Sequence, residues 1–194
     1  MAIRARTEQK LLDAADELFF TQGVAATPVD AVLARAGVSA ATLYRGYASK
    51  EALVAAALER RHRDWLAVWD DAIARAASPE GRLLAVFDAL DAFRSRPDGA
   101  RWCAFLGSAA EYADPPAEIA RAVALDTTTL RDRLRDLAEP VVGGGAAALA
   151  DELLLVVSGD LAMRLRDADR DAATTRAIAT TLIRAREGSA AAGR

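Results

Sequence analysis

The amino-acid sequence predicts an all-α protein of about nine helices. Hydrophobic residues make up 53% of its 194 residues and charged residues 27%, so the chain can bury a substantial core. About a quarter of the residues are alanine, the best helix former, whereas only 12 are glycine and 6 are proline. No segment has the pattern of a convincing strand, which disfavours a β-sandwich.

The first third of the chain predicts three helices in quick succession. Apolar residues recur at helical spacing, and the helices are expected at residues 4–22, 28–36 and 40–45. Gly23 ends the first helix, and Thr27 with Pro28 supplies an N-cap hydroxyl and a first-turn proline for the second. The turn at Gly37 leads to Ser39, which caps the third helix. This arrangement is typical of a helix-turn-helix.

The rest of the chain predicts six further helices. The fourth follows the Ser49 cap and extends to about Arg75, and the fifth follows the Ser78 cap. The last five are expected at residues 79–94, 101–113, 116–138, 147–166 and 171–186. They are separated by a turn at residues 97–99, by the break at Pro115-Pro116, by a flexible linker at residues 143–145 and by residues 167–169. Residues 188–194 are expected to form a disordered tail.

The helix-turn-helix points to double-stranded DNA as a partner. Its last helix enters the major groove, about 12 Å wide, with its N-terminal residues facing the base edges. Leu43 is the expected inward anchor of this recognition helix, and Lys50 at the start of the fourth helix can reach a phosphate. The candidate DNA-binding residues are Thr27, Ser39, Ala40, Thr42, Tyr44, Arg45 and Lys50.

The net charge of -3 argues mildly against a nucleic-acid partner, but it hides an uneven distribution. Residues 1–63 carry nine Lys or Arg and seven Asp or Glu, a balance of +2. Residues 64–194 carry 16 and 21, a balance of -5, and the two sum to -3. The helix-turn-helix therefore lies in a mildly basic head that precedes an acidic body.

Other counts narrow the chemistry. The single cysteine, Cys103, cannot form an internal disulfide and suits a reducing cytosol, and the single histidine, His62, makes a multi-histidine metal site impossible. No apolar run approaches the roughly 20 residues that cross a membrane, and no signal peptide begins the chain. We expect a soluble cytoplasmic protein that is not an enzyme, with no metal, no cofactor and no membrane partner.

Several motifs of the head have a fixed spacing. They are Leu12-Asp13-Ala14-Ala15-Asp16-Glu17-Leu18-Phe19, then Gly23, Thr27, Val29 and Val32, then Ala36-Gly37-Val38-Ser39, Thr42-Leu43-Tyr44, Tyr47 and Ser49-Lys50-Glu51-Ala52-Leu53. Over roughly residues 7–54 these motifs resemble the DNA-binding domain of the TetR/AcrR family. The pattern departs from that family at Pro28, Ala41, Gly46 and Tyr47. Gly46 is expected to remove one phosphate contact and to loosen the end of the recognition helix, since glycine costs about 1 kcal/mol relative to alanine there.

The resemblance implies a homodimeric, ligand-responsive transcriptional regulator, most often a repressor. Such a regulator binds a palindromic operator and is released by a small-molecule inducer. The expected domains are residues 1–54 for DNA binding and residues 55–187 for ligand binding and dimerisation. The last two helices would pair with those of a second copy in a four-helix bundle through Leu149, Leu153, Val156, Val157, Leu161, Ile178 and Leu182.

Analogy with the family also places an inducer pocket among the middle helices. The candidate lining residues are His62, Trp65, Trp69, Phe87, Trp102, Phe105, Ser108, Glu111 and Tyr112. Aromatic side chains with a few polar groups are typical of small-molecule pockets, but aromatics at helical spacing also form ordinary core. Two other functions compete with a regulator. One is a helical small-molecule-binding protein with lost or altered DNA binding, and the other, much disfavoured, is a helical enzyme that uses an acidic cluster.

Overall fold

The computed structural model describes residues 3–96, 103–167 and 171–192, with side chains in the last helix to residue 187. Within these ranges the chain forms nine α-helices, one 3-10 turn and no strand, which confirms the all-α prediction. The helices are α1 (Ala5–Gln22), α2 (Val29–Ala36), α3 (Ala40–Gly46), α4 (Lys50–Arg75), α5 (Pro79–Arg94), α6 (Ala104–Glu111), α7 (Ala117–Val142), α8 (Ala146–Met163) and α9 (Ala173–Ala192). The 3-10 turn, Gly143–Gly145, joins α7 to α8 without a break.

The predicted serine caps and glycine turns are confirmed. The hydroxyls of Ser39, Ser49 and Ser78 each accept a hydrogen bond from a backbone amide of the first turn that follows, at 3.0–3.3 Å. Gly23 and Gly37 end α1 and α2 with φ of 94° and 65°, a backbone conformation that disfavours any side chain. Local chemistry therefore sets most of the helix boundaries in the head.

The start of α2 differs from the prediction. The helix begins at Val29 with Pro28 as its N-cap residue, and no side chain caps it. The hydroxyl of Thr27 is instead buried and donates to the backbone carbonyl of Gly23 at 2.7 Å, with the carbonyl of Leu18 at 3.3 Å. Thr27 therefore fastens the α1–α2 loop to the end of α1 rather than capping α2.

The end of α7 also differs from the prediction, which stopped the helix before Pro140. The helix contains Pro140 and continues to Val142. Pro140 lies in the last turn and has no amide to donate to the carbonyl four residues earlier, so the helix continues past it with one hydrogen bond fewer. Residues 143–145, expected to be a flexible linker, form the 3-10 turn.

Three other expectations change or fall outside the described residues. Helix α6 is shorter than the predicted helix at residues 101–113. The predicted turn at residues 97–99 lies outside the described part of the chain, as does most of the connection at residues 167–169. Helix α9 continues through residues 188–192, where a disordered tail was expected, and residues 193–194 are not described.

The chain divides into two compact units. The first unit comprises residues 1–63 and 100–126, and the second comprises residues 64–99 and 127–194. The core of the first unit includes the fully buried side chains Leu11, Phe19, Leu43, Leu53 and Ile119. Leu43 is thus the inward anchor of α3 that the sequence predicts. The expected domain boundary after residue 54 falls inside α4 and remains a prediction.

The second unit is built on the second half of α4, α5, most of α7, α8 and α9. Its fully buried side chains include Trp69, Phe87, Leu134 and Leu149. Helix α9 packs against α8 and α5. This helical core leaves other apolar side chains of α8 and α9 at the surface.

One apolar stretch is longer than the sequence analysis expects. The continuous helical region from Ala117 to Met163 contains an 18-residue window with mean hydropathy 1.7, long and apolar enough to cross a membrane by length and composition. Core helices of soluble proteins meet the same criterion. Helix α8 has this character here, because Leu149, Leu153 and Val157 are buried in the core that it shares with α9.

Candidate nucleic-acid interface

The recognition helix α3 presents a short polar surface around a single buried anchor. Leu43 is fully buried, whereas Tyr44 is 54% exposed and Arg45 is exposed. Ser39 and Ala40, at the start of the helix, are exposed as well. These side chains are free to meet the base edges that a recognition helix reads with its N-terminal half.

Hydrogen bonds hold the polar side chains of α3 in place. The Thr42 hydroxyl lies 3.0 Å from the Ser39 hydroxyl and accepts a hydrogen bond of 2.9 Å from the Arg45 guanidinium. The Ser39 hydroxyl in turn accepts the Thr42 amide at 3.3 Å. The contacts order three of the predicted DNA-binding side chains before any partner arrives, which reduces the entropy lost on binding.

A basic cleft of about 690 Å³ lies beside this helix. Four of its lining residues are cationic: Arg4, Arg6, Lys10 and Arg45. The other lining residues are Ile3, Thr7, Gly37, Val38, Ser39 and Thr42, so no carboxylate lines the cleft. Ser39, Thr42 and Arg45 were predicted from the sequence, whereas the three cations of the chain start were missed. The sequence did indicate a basic helix face, since Arg6 and Lys10 are one helical turn apart.

Two predicted DNA-binding residues have their polar atoms turned toward the protein. Thr27 is 1% exposed, and its hydroxyl is used inside the head. The Lys50 ammonium donates to the Val24 carbonyl at 2.5 Å and lies 5.7 Å from the centre of the Phe19 ring. A phosphate contact from Lys50 therefore requires this hydrogen bond to open, and for both residues a role in DNA binding remains a prediction.

Glu111, predicted to line a ligand pocket, instead binds the α1–α2 loop. Its carboxylate accepts the Val24 amide at 3.0 Å and the Ala25 amide at 2.6 Å. Because Lys50 binds the carbonyl of the same Val24, the loop is held from α6 and from α4. We call this arrangement the loop clamp. Sequence reasoning missed it, since partners 86 and 87 residues apart leave no local pattern.

Helix α4 is tied to α1 by two neighbouring arginines. Arg61 donates to both carboxylate oxygens of Asp16, at 2.9 and 3.2 Å, and the pair is buried. Arg60 donates to Asp13 at 2.6 Å and to the Leu12 carbonyl at 2.9 Å. The two aspartates are three residues apart on α1, so both arginines reach one face of that helix.

A third contact joins the start of α1 to the end of α3. The Tyr47 hydroxyl donates to the Glu8 carboxylate at 3.2 Å. Burial, followed by the charge of Glu8, raises the pKa of Tyr47 to about 12. The phenol therefore stays protonated at neutral pH and continues to donate to Glu8.

The structure brings together several predicted pocket residues of the first unit. The His62 Nδ1 atom lies 2.9 Å from the Asp126 carboxylate, and the His62 ring meets the edge of Phe105 at 6.2 Å. The Ser108 hydroxyl is buried and has no hydrogen-bond partner in the described part of the chain. Tyr112 is half-buried, and burial raises its pKa. A buried hydroxyl without a partner is compatible with a polar ligand or water at this place.

The predicted aromatic residues of the second unit behave as core. Trp65 lies 5.6 Å from Trp69 and 5.8 Å from Phe93, ring centre to ring centre. Trp69 and Phe87 are fully buried. Trp102 lies outside the described residues, so the predicted pocket is described only in parts, and its role remains a prediction.

The single cysteine has the environment of an unreactive thiol. Burial raises the pKa of Cys103 to about 11, which leaves little thiolate at neutral pH. Across the three described ranges, no group of three or more His, Cys, Asp or Glu side chains is placed to hold a metal ion.

The predicted dimer residues divide into two groups. Leu149, Leu153 and Val157 are buried within the chain itself, in the core of the second unit. Val156, Leu161 and Leu182 are half-buried, and Ile178 is 48% exposed. The sequence analysis missed Leu155, which is 73% exposed on α8. The exposed and half-buried members, together with Leu155, remain at the surface, and the role of the predicted residues in a dimer remains a prediction.

The head matches a known family model, described as bacterial regulatory proteins of the tetR family, over residues 11–57. A TetR-family transcriptional regulator from Streptomyces coelicolor has 28% identity and a TM-score of 0.85, covering 95% of this chain and 98% of that one. The head of the chain is therefore a TetR-family DNA-binding domain, and 95% of the chain is similar to a TetR-family regulator. TetR-family regulators are transcription factors, so this chain is a DNA-binding regulator and not an enzyme.

Other comparisons agree with membership of the TetR family. A candidate TetR regulator from Streptomyces avermitilis has 29% identity and a TM-score of 0.80, covering 93% of this chain and 98% of that one. A TetR regulator from Chloroflexus aurantiacus, at 22% identity and a TM-score of 0.74, covers 91% of this chain and 92% of its own and shows the fold alone. A search of curated proteins finds no match. The segment that matches the family model includes most of α1, all of α2 and α3, and the start of α4.

Proposed function

We propose that this TetR-family regulator is a homodimeric repressor that binds a palindromic operator and is released by a small molecule. The observation that carries the proposal is the ordered polar surface of α3 beside a cleft with four cations and no carboxylate. Such a surface favours the phosphate backbone and the base edges of duplex DNA. In this proposal residues 1–54 bind DNA and residues 55–187 bind ligand and dimerise, and the protein acts in the cytoplasm.

Operator binding is tested by selecting duplexes from a randomised pool with the full-length protein. We expect one palindromic sequence to be enriched, and its affinity to fall steeply with salt because phosphate contacts release counterions. Tyr44→Ala should weaken binding to that duplex by about 1–3 kcal/mol, the usual value of a base contact. Leu125→Ala, a change of an equally exposed apolar residue on α7, is the matched control. Failure to enrich any duplex at low salt would contradict operator binding.

Homodimer formation is supported by the apolar side chains that α8 and α9 expose. Leu155 and Ile178 would be covered by a second copy, since a monomer gains nothing from leaving them in water. A dimer also gives the two-fold symmetry that a palindromic operator matches, with half-sites about 34 Å apart. Sedimentation of the purified protein measures this directly, and a monomer at all concentrations would oppose the proposal.

Ligand response is proposed to act through the first unit. A ligand near His62, Phe105 and Ser108 would favour one position of α6. Helix α6 carries Glu111, which connects it to the helix-turn-helix through the loop clamp. Moving Glu111 would release the Val24 and Ala25 amides, and the fourth helix would then separate the two heads. The ligand must bind the released conformation more tightly, or no population shift follows.

The competing function is a helical small-molecule-binding protein with altered DNA binding. The observation that favours it is Lys50, whose ammonium is used inside the head instead of facing solvent. The same selection experiment separates the two, since a binding protein of this kind enriches no duplex. Screening small molecules for release of the selected duplex then tests the inducer.

A further inference from the structure

Gly46 ends the recognition helix at a place that a side chain could occupy only if Ile3 moved. A Cβ atom built there would lie 2.1 Å from Ile3 Cδ1 and 2.7 Å from Ile3 Cγ1, closer than real Cβ contacts. The backbone does not require glycine, because the glycines with positive φ in the described residues are Gly23, Gly37 and Gly143. The Ile3 side chain therefore fills the space that a side chain at position 46 would occupy, and we call this contact the Ile3 seat.

Seating Ile3 fixes the start of α1 against the end of α3. Ile3 is half-buried and packs on the core of the first unit. The next residue, Arg4, is the N-cap residue of α1, and its carbonyl accepts the amides of Thr7 and Glu8 at 2.8 and 3.0 Å. Helix α1 begins at Ala5, two residues after Ile3, so the Ile3–Gly46 contact fixes the backbone that leads into the first side chains of α1.

Those side chains carry unpaired positive charge into the cleft. Arg4, Arg6 and Lys10 line it, all three are exposed, and none pairs with a carboxylate in the described part of the chain. The nearest acidic residue along α1, Glu8, is occupied by the Tyr47 hydroxyl. Three free cations beside a recognition helix attract the phosphates that flank the bases it reads.

We propose that residues 3–10, which we call the arm, are a second DNA-contacting element. In this element, Ile3 packs against Gly46 and thereby holds Arg4 and Arg6 close to operator phosphates beside α3. The element supplies charge where Gly46 leaves α3 without a side chain. The inference rests on the proposed operator binding and adds contacts to the region before residue 11, where the family model match begins.

The first test measures salt dependence. The probe is the duplex that the full-length wild-type protein selects from a randomised pool, and the readout is fluorescence anisotropy from low to high salt. Each lost phosphate contact lowers the slope of log K against log salt by about 0.9, equivalent to about eightfold in affinity for each tenfold change in salt. Because each chain of the dimer loses one contact, we expect the slope to fall by about 1.8 for Arg4→Ala and for Arg6→Ala, but not to change for Arg121→Ala, an exposed arginine of α7 outside the cleft.

The second test removes the seat without removing a charge. Alanine is a better helix former than glycine by about 1 kcal/mol, which offsets the lost packing of Ile3, so Gly46→Ala should leave thermal stability close to that of wild type. We nevertheless expect it to lower duplex affinity several-fold, because its Cβ displaces Ile3 and frees the arm. Gly144→Ala, at a glycine with nothing within 4 Å of its built Cβ, is the matched control and should bind as wild type does.

A double variant tests whether the two residues act together. If Ile3→Ala and Gly46→Ala each free the same arm, the double variant binds no more weakly than the weaker single variant. If the affinity losses of the two single variants add in the double variant, the two residues do not act through one contact. Wild-type affinity in Gly46→Ala and Ile3→Ala would contradict the Ile3 seat as well. Unchanged salt slopes in Arg4→Ala and Arg6→Ala would overturn the contacts while operator binding stands. If the wild-type protein selects no duplex from the pool, both the proposed operator binding and the proposed contacts of the arm are contradicted.

Discussion

The buried ion pair between α1 and α4 should contribute far more to stability than an ion pair on the surface. Arg61 and Asp16 are 7% and 9% exposed, with N–O distances of 2.9 and 3.2 Å. The exposed pair Arg35–Glu17 has a similar distance of 2.7 Å but is 58% and 50% exposed. Comparing the two pairs separates the effect of burial from the effect of contact.

The expected magnitude follows from leaving one charge buried. Arg61→Met removes the two hydrogen bonds of a cation to the buried Asp16 carboxylate and should cost about 3–5 kcal/mol, whereas Arg35→Met should cost at most about 1 kcal/mol. With an unfolding entropy of about 2.1 cal/mol/K per residue, the 194 residues give about 0.4 kcal/mol/K. The buried change should therefore lower Tm by roughly 7–12 °C and the surface change by under about 3 °C.

The assay is thermal unfolding at fixed protein concentration, because dimerisation makes Tm depend on concentration. A third variant, Arg61→Met with Asp16→Leu, removes both charges and should recover most of the loss, since apolar residues can replace a buried pair. The reasoning is refuted if Arg61→Met and Arg35→Met lower Tm equally. It is also refuted if the double variant is as unstable as Arg61→Met.

Three further expectations follow from the contacts. Glu111→Gln retains one acceptor for two amides and should lower unfolding free energy in urea by about 1 kcal/mol, whereas Glu59→Gln, an exposed change on α4, should leave it unchanged. Leu155→Glu should give a monomer by sedimentation, and Leu125→Glu, at an exposed leucine of α7, should remain a dimer. Because burial raises the pKa of the half-buried Cys103 to about 11, its alkylation at pH 8 should be on the order of a hundredfold slower than that of a free thiol; an equal rate would contradict the raised pKa.

Most boundaries of the helix-turn-helix were predictable because a neighbouring residue sets them. Ser39 and Ser49 form caps with amides three residues away, and Gly37 needs only its own φ of 65°. Where the determinant lies farther away, local reasoning gave a wrong boundary. The Thr27 hydroxyl, which looks like a cap for α2, binds the Gly23 carbonyl because the loop folds back on α1.

The candidate site was less predictable because its decisive contacts join distant parts of the chain. Glu111 looked like a pocket residue, yet its partners lie at residues 24 and 25. Apolar spacing on α8 likewise cannot distinguish a helix of the same chain from a helix of a second copy, since both bury leucine. Leu153 packs within its own chain, whereas Leu155, two residues later, is exposed.

Net charge is a poor guide to the charge of the cleft beside α3, because some cations of the head are paired with carboxylates and others are not. Nine cations and seven carboxylates in residues 1–63 leave only +2. The structure places three of those cations on carboxylates of α1 and a fourth on a backbone carbonyl: Arg35, Arg60, Arg61 and Lys50. Four others converge on a cleft without a carboxylate: Arg4, Arg6, Lys10 and Arg45. Pairing therefore neutralises three carboxylates of α1 and leaves positive charge beside the recognition helix, where phosphates lie in a bound duplex.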